Sequence, residues 1–214
     1  MPATGMAQSH NPKDLAVGRL LVARAQVPDG RFRHAVVLLL GRSTHGTAGL
    51  VLNHPGDTPV SRLFPNMASA QGRSEAAYAG GPVETSRILV LLHLAGPLHE
   101  AQPVLPGVYV STSLDLIRLA LNAQQPAASF RVFQGYAGWT PGQLARELAA
   151  GYWTILPGSA RTIFDPDPAT LWTRLSRQPG SHAAAPAPSA AGRRRPLREP
   201  KPAPRRVAAR PEPG

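Results

Sequence analysis

The 214-residue chain contains no cysteine and only two lysines, Lys13 and Lys201. Without sulfur it can build no disulfide, thiolate zinc site, iron–sulfur cluster or cysteine nucleophile, because each of these needs the thiol itself. A phosphate-binding loop of the nucleotide-hydrolase type ends in Gly-Lys-Ser/Thr, and neither lysine stands in that context. The common dinucleotide-binding, esterase and metalloprotease signatures are also missing. We therefore expect a protein that is not an enzyme and uses no cofactor or metal.

The sequence also lacks long apolar runs. The longest one, 35–40, is far below the roughly 20 residues that a membrane-spanning helix needs. Residues 1–13 are polar and interrupted by proline and glycine, so they do not resemble a secretory signal. These features predict a cytoplasmic protein with no membrane partner.

Proline, alanine and positive charge are concentrated at the C-terminus. Residues 179–214 contain eight basic and two acidic residues, whereas residues 1–178 contain 15 and 10. Leu197 and Val207 are the only larger apolar side chains of this tail, so it cannot bury enough surface to offset the entropy of ordering. We expect a disordered, partly polyproline-like arm.

The arginines of the tail suggest one function for it. They would hold phosphates by releasing counterions, which makes binding salt-dependent and largely blind to sequence. The residues concerned are Arg193, Arg194, Arg195, Arg205 and Arg206. The alternative is a solvated tail without a partner, and it is favoured because 21 arginines are spread through the whole chain. Weak, non-specific nucleic acid binding is thus one hypothesis.

The segment 14–178 has the pattern of a single folded domain between a disordered N-terminus, 1–13, and the tail. Short runs rich in Val, Leu and Ile, separated by Gly, Pro, Asn and Asp, predict β-strands. These are expected at 18–25, 33–40, 48–53, 87–94, 107–111 and 130–135, with another at 153–156. The runs 36–40 and 89–92 are continuous rather than alternating, which predicts strands covered on both faces.

The first helix signal is Ser113, whose hydroxyl is expected to cap a helix over 114–123. Its spacing predicts one buried face, made of Leu114, Ile117 and Leu121.

Two further helices follow. Thr140 is expected to start one, with Pro141 as its first helical residue and Gln143 completing a capping box, and Gly151 to end it. The last should begin at Pro168 and end near residue 177. Because strands dominate the first half and helices the second, we predict an α+β fold.

Seven histidines are candidate ligands or bases. One hypothesis gathers His45, His54 and His93 near a carboxylate such as Glu84. The alternative, isolated surface or hydrogen-bonded histidines, is favoured because no two lie three to five residues apart, the spacing typical of paired zinc ligands.

Two glycine-rich segments, 78–83 and 135–142, combine an unhindered backbone with aromatic side chains. Glycine permits close approach of a ligand or of another backbone, and the helix start at Thr140 would offer free N–H groups to an anion. The hypothetical ligand or partner site consists of Asn53, His54, Gly80, Gly81, Pro82, Gly135, Tyr136, Trp139 and Thr140. The alternative is a pair of tight turns with aromatic plugs.

Several segments carry a family resemblance. These are Gly18-Arg-Leu-Leu-Val-Ala-Arg, the strand 32–40, Gly49-Leu-Val-Leu-Asn-His-Pro, Gly80-Gly-Pro-Val and Gly135-Tyr-Ala-Gly-Trp-Thr-Pro-Gly-Gln-Leu. Over residues 14–177 the chain resembles the bacterial YqgE/AlgH family. The resemblance implies a single α+β domain with a mixed, barrel-like β-sheet flanked by helices, and an unassigned activity.

The resemblance supplies no catalytic residue. One family branch is named as a transcriptional regulator of exopolysaccharide synthesis, but no helix-turn-helix is visible here. His54 stands where relatives often have a basic residue, and the tail lies outside the family pattern. We expect a non-enzymatic binding or regulatory protein with an unknown protein or small-molecule partner. The alternatives are nucleic acid association through the tail and an atypical hydrolase using His45 or His54.

Overall fold

The computed structural model describes residues 11–95, 98–122 and 130–177, which fold into one α+β domain. The strands are β1 Arg19–Ala23, β2 Val36–Ser43, β3 Gly46–Val51, β4 Pro55–Pro59, β5 Ala76–Ala79, β6 Val83–His93, β7 Gln102–Leu105, β8 Val108–Ser111, β9 Phe130–Trp139 and β10 Trp153–Pro157. The α-helices are α1 Val60–Leu63, α2 Leu114–Asn122, α3 Gln143–Ala149, α4 Ala160–Ile163 and α5 Pro168–Ser176. None of these helices has the length and apolar character needed to cross a membrane.

The ten strands form one mixed sheet that curls without closing. Its main path runs β10-β1-β2-β3-β9-β6-β8-β7 with antiparallel neighbours, while β5 pairs with β9 in parallel and with β4 in antiparallel. No ladder between β7 and β10, the two ends of this path, is formed by the described residues. The ends nevertheless come close, since a Cβ on Gly158, directly after β10, would lie 3.2 Å from Cδ1 of Leu105 in β7. The expected barrel-like, mixed sheet is confirmed, as a barrel that stays open.

All seven predicted strands are present, and β4, β5 and β7 are additional. These three strands have four or five residues each and contain proline or alanine where a β-branched run would be expected. They are held by pairing with neighbours that local sequence does not reveal. The prolines fit because an edge strand need not donate every N–H to a ladder.

The continuous apolar runs are covered on both faces, as predicted. In β2, Leu38 packs in an inner core that also contains Leu91 of β6. The next residue, Leu39, packs in a second cluster that contains Trp153. In β6, Leu92 packs in a third cluster with Ile117 of α2. The inner core therefore fills the curl of the sheet, and the other two clusters lie outside it.

Helix α2 begins where it was predicted, with the Ser113 hydroxyl accepting the Leu116 N–H at 3.4 Å. Its buried side chains are Leu116, Ile117, Ala120 and Leu121. Leu114 is 59% exposed, so its assignment to the buried face was wrong. The buried arc is centred between Ile117 and Ala120, about a quarter of a turn from Leu114.

Helix α3 begins at Gln143 rather than at Pro141. Half of the capping box forms, because the Thr140 N–H donates to Gln143 Oε1 at 3.0 Å. The later start follows from Gly142, whose φ of 75° is left-handed and therefore not helical. Helix α5 begins at Pro168 as expected.

Candidate functional site

The two glycine-rich segments meet inside the sheet. The Gly80 N–H donates to the Gln134 carbonyl at 2.9 Å. A Cβ on Gly80 would lie 2.3 Å from the Gly135 carbonyl oxygen, and a Cβ on Gly81 would lie 2.2 Å from the Tyr136 carbonyl carbon. The space that these glycines leave is therefore filled by backbone. Pro82 stands in the short connection from this crossing to β6.

Asn53 joins two strands. Its side chain is 8% exposed, Oδ1 accepts the Val36 N–H at 2.8 Å, and Nδ2 donates to the His34 carbonyl at 2.8 Å. Because both ends of the amide are used by backbone, Asn53 connects the start of β2 to the end of β3.

His54 is half-buried beside this junction. Burial, and to a lesser degree the neighbouring His34, lowers the pKa of the His54 imidazole below its ordinary value. The neutral ring is the form that this position favours.

The histidines are not brought together. His93 stacks on Phe164 with ring centroids 5.6 Å apart, and His45 lies in the turn between β2 and β3. Across the three described ranges, no group of three His, Cys, Asp or Glu side chains lies close enough to hold a metal ion. The considered site of His45, His54, His93 and Glu84 is therefore not assembled.

An open cleft lies where the inner core reaches the surface. Its volume is about 560 Å³, and its apolar floor is formed by Leu40, Leu89 and Val110. We call it the Tyr136 cleft, because the half-buried Tyr136 side chain forms one wall. Its polar rim consists of Arg87, Glu100, Gln102, Ser111, Thr112 and Ser113.

A second cavity of about 570 Å³ adjoins the cleft, since both are lined by Gly41, Ala48 and Tyr136. Trp139 and Thr140 are part of its lining. Three of the nine residues predicted for the site thus line this joint surface, and the other six do not line either cavity.

Two of these three residues have other partners as well. Trp139 is 4% exposed and its ring lies 6.0 Å from that of Phe32, so it is mainly a core residue. The Thr140 N–H is bonded to Gln143 Oε1, so this N–H is not free for an anion. Among the nine predicted residues, Tyr136 is the one that lines both cavities.

A short hydrogen-bonded chain orients Tyr136. Its hydroxyl donates to Glu84 Oε1 at 3.1 Å, and Arg87 Nη1 donates to Glu84 Oε2 at 3.0 Å. Burial, followed by the hydrogen bond to Glu84, raises the pKa of the Tyr136 phenol. The phenol is therefore a neutral hydrogen-bonding group at neutral pH.

Four further rim residues are hydrogen-bonded within the protein. Gln102 Nε2 donates to the Leu40 carbonyl at 2.5 Å. Ser111 Oγ donates to the Glu100 carbonyl at 2.9 Å, and Ser113 Oγ donates to Glu100 Oε2 at 3.4 Å. These bonds hold four of the polar rim residues around the apolar floor.

Sequence reasoning missed the hydrogen-bonded chain of Tyr136, Glu84 and Arg87 because the predicted strand began at Arg87, whereas β6 begins at Val83. Residues 84–87 are polar and exposed, so they carry no strand signal of their own. Their proximity to Tyr136 follows from the pairing of Val83 with Tyr136 across the β6–β9 ladder. The predicted phosphate-binding arginines of the tail lie outside the described residues.

Comparison with known proteins places this fold among relatives. The chain is 39% identical over 171 residues to a UPF0301 protein of Myxococcus xanthus, covering 78% of this chain and 92% of that protein. It is 34% identical over 164 residues to a UPF0301 protein of Streptomyces avermitilis, covering 75% and 85%.

Two solved structures are similar. The AlgH protein from Pseudomonas aeruginosa matches with a TM-score of 0.64 and 27% identity, covering 76% of this chain and 88% of that one. A Corynebacterium diphtheriae protein matches with a TM-score of 0.66 and 24% identity, covering 78% and 89%, and shows the fold alone. A family model described as AlgH-like (DUF179) matches residues 20–184. The chain therefore belongs to the AlgH-like family, the UPF0301 proteins, whose activity is unassigned.

Proposed function

We propose that the protein is a non-enzymatic binding protein that holds a small amphipathic molecule in the Tyr136 cleft. The observation that carries this proposal is the position of the cleft at the mouth of a curled sheet, where an apolar floor meets a polar rim. The mouths of barrel-like sheets are common places for small-molecule sites, and about 560 Å³ is within the size range of such sites.

The chemistry of the cleft indicates the kind of molecule. Its apolar part would cover Leu40, Leu89 and Val110, which are inner-core side chains at the floor. Its polar part would face Arg87, whose guanidinium is half exposed, and the Tyr136 hydroxyl. A ligand with hydrogen-bond acceptors on one side and an apolar body on the other matches this arrangement.

The hydrogen bonds of the two serine hydroxyls in the rim favour binding over catalysis. Ser111 and Ser113 donate to Glu100, and Ser113 also caps α2. A serine nucleophile needs a base that accepts its proton. Ser111 donates to a backbone carbonyl, which cannot act as that base, and Ser113 accepts the Leu116 N–H while its contact with the Glu100 carboxylate is long, at 3.4 Å.

A screen for thermal stabilisation of the full chain by small molecules tests the proposal. We expect hits whose affinity, measured by calorimetry, falls about tenfold or more in Tyr136→Ala. Tyr152→Phe is the matched control, because Tyr152 packs against the second cluster and should leave affinity unchanged. Hits that bind Tyr136→Ala as tightly as the unaltered protein, or that are turned over, would contradict the proposal.

A further inference from the structure

A separate cavity of about 320 Å³ lies between β5, the start of β9 and the loop after α4. It shares no lining residue with the Tyr136 cleft. Its walls are mostly apolar, with Val132, Phe130 and Phe164 among them. The ionic groups in its lining are Arg131 and Glu75.

Arg131 is an arginine in the apolar first part of β9, and it is only 7% exposed. Its Nη1 donates to the Ile163 carbonyl at 2.8 Å and to the Leu52 carbonyl at 3.4 Å, and its Nη2 donates to the Asp165 carbonyl. The guanidinium carbon also lies 4.8 Å from the centroid of the Tyr78 ring.

These contacts leave part of the guanidinium without an acceptor. An arginine side chain has five N–H donors, and the three carbonyls take two from Nη1 and one from Nη2. Among the residues that the structure describes, Nε–H and the second Nη2–H have no hydrogen-bond partner. A carboxylate has two oxygens that can accept from such a pair of N–H groups.

Among the described residues, Arg131 also forms no salt bridge of its own with a carboxylate. The Asp165 carboxylate attracts it, but Asp165 Oδ1 lies 2.8 Å from Arg174 Nη2. The Glu75 carboxylate in the cavity lining lies 2.8 Å from Arg73 Nη1. Both of these carboxylates are therefore already paired with another arginine. Burial lowers the pKa of the Arg131 guanidinium, as expected for a cation held away from water.

We propose that this cavity binds a small organic carboxylate, with its charged group on the free N–H donors of Arg131 and its apolar body against Phe130, Val132 and Phe164. A bound carboxylate would give Arg131 the ion-pair partner that it lacks among the described residues. Inorganic phosphate would also pair with Arg131, but it has no apolar body to pack against these walls. This site is distinct from the Tyr136 cleft, so the two proposals stand or fall separately.

The first test compares two probes of equal chain length on the full protein. Octanoate has about ten heavy atoms, a size suited to a cavity of about 320 Å³. We expect calorimetry to show octanoate binding at least about tenfold more tightly than octan-1-ol, which has the same body without the charge. Equal affinity for the two probes, or no octanoate binding, would overturn the proposal.

The second test locates the site with two matched substitutions in β5. Ala76 lines the cavity, whereas Ala79 is exposed and lies outside the lining. Ala76→Leu should fill the space and weaken octanoate binding about tenfold or more, and Ala79→Leu should leave it unchanged. Equal effects of the two substitutions would place octanoate elsewhere and overturn the assignment.

Arg131→Gln examines the charge itself. We expect it to remove the preference for octanoate over octan-1-ol, and a retained preference would exclude Arg131 as the anchor. If the loss of the three carbonyl bonds prevents Arg131→Gln from folding, the comparison of Ala76→Leu with Ala79→Leu still tests whether octanoate binds in this cavity. Neither of these substitutions removes a carbonyl that Arg131 contacts.

Discussion

At the scale of single residues, crowding by neighbouring backbone explains why glycine occurs where the two glycine-rich segments cross. Access for a ligand explains it less well. Gly81 has a φ of 151°, and a Cβ there would lie 2.2 Å from the Tyr136 carbonyl carbon. Both conditions select against any side chain. Substitution of Gly81 would therefore disturb the sheet, and Tyr136 is the better position for testing binding.

Gly81→Ala should lower the free energy of unfolding by about 2 to 4 kcal/mol, through strain and overlap with β9. Urea unfolding monitored by tryptophan fluorescence would measure the change. Gly30→Ala is the control, because a Cβ at Gly30 would meet nothing within 4 Å. Equal stability of the two variants would show that the crossing tolerates a side chain.

His54 gives the stability of the protein a pH dependence. Its pKa is lowered in the folded state, so the unfolded chain binds more protons once the pH falls below the ordinary histidine value of about 6.5. The free energy of unfolding should therefore decrease as the pH falls through this value, and level off only below the folded-state pKa.

His54→Gln should reduce the loss of stability between about pH 7.5 and about pH 5. Chemical denaturation at a series of pH values would measure it. His99→Gln serves as the comparison, since His99 is exposed on a loop. An unchanged pH profile in His54→Gln would mean that other groups cause the dependence.

At the scale of elements, α3 is fastened to the sheet by one carboxylate. Glu147 Oε2 accepts the indole N–H groups of Trp139 at 2.9 Å and Trp153 at 2.7 Å. Gln143 Nε2 donates to Glu147 Oε1 at 2.9 Å, which holds the carboxylate in place. A seven-residue helix is too short to be stable alone, so these bonds and its two buried leucines keep it on the sheet.

Glu147→Leu should lower the free energy of unfolding by about 2 to 4 kcal/mol, because two buried indole N–H groups lose their acceptor. Glu147→Gln retains one acceptor oxygen and should lose about half as much. Urea unfolding of both variants would show the order. A Glu147→Leu variant as stable as the unaltered protein would mean that α3 is held by packing alone.

Predictability from sequence differs between elements. Helix α5 was predicted at its first residue, because Asp167 and Pro168 form a local signal and Asp167 Oδ1 accepts the Thr170 N–H. The strand over 55–59 was not predicted, because its sequence, Pro-Gly-Asp-Thr-Pro, forms β4 only by pairing with β5. A helix-start signal is contained in a few consecutive residues, whereas an edge strand depends on a partner that is distant in the chain.

At the scale of the whole molecule, the positive charge is unevenly distributed along the chain. Eight of the 23 basic residues belong to residues 179–214, together with only two acidic ones. Nucleic acid association through this tail stays a prediction, separate from both proposed sites. Its physical signature is salt dependence, because each phosphate contact releases counterions.

If the tail contacts six phosphates, the logarithm of DNA affinity should fall with a slope of about −5 against the logarithm of salt concentration. Replacing Arg193, Arg194, Arg195, Arg205 and Arg206 by glutamine in the full chain should remove most of this slope. Fluorescence anisotropy with a labelled duplex would measure it. Full affinity in the substituted chain, or after deletion of residues 179–214, would exclude the tail.

The sequence alone was sufficient for the α+β class, for seven strands and three helices, and for the family, because periodicity, caps and contiguous motifs are local properties. It also pointed to Tyr136, although as one of nine residues of which six line neither cavity of the candidate site. Only the tertiary structure placed Glu84 and Arg87 beside Tyr136, gave Asn53 and Gly81 their packing roles, and enclosed Arg131 beside a cavity. These relations depend on strand order and register, which bring together residues that are far apart in the chain, and no local pattern encodes that pairing.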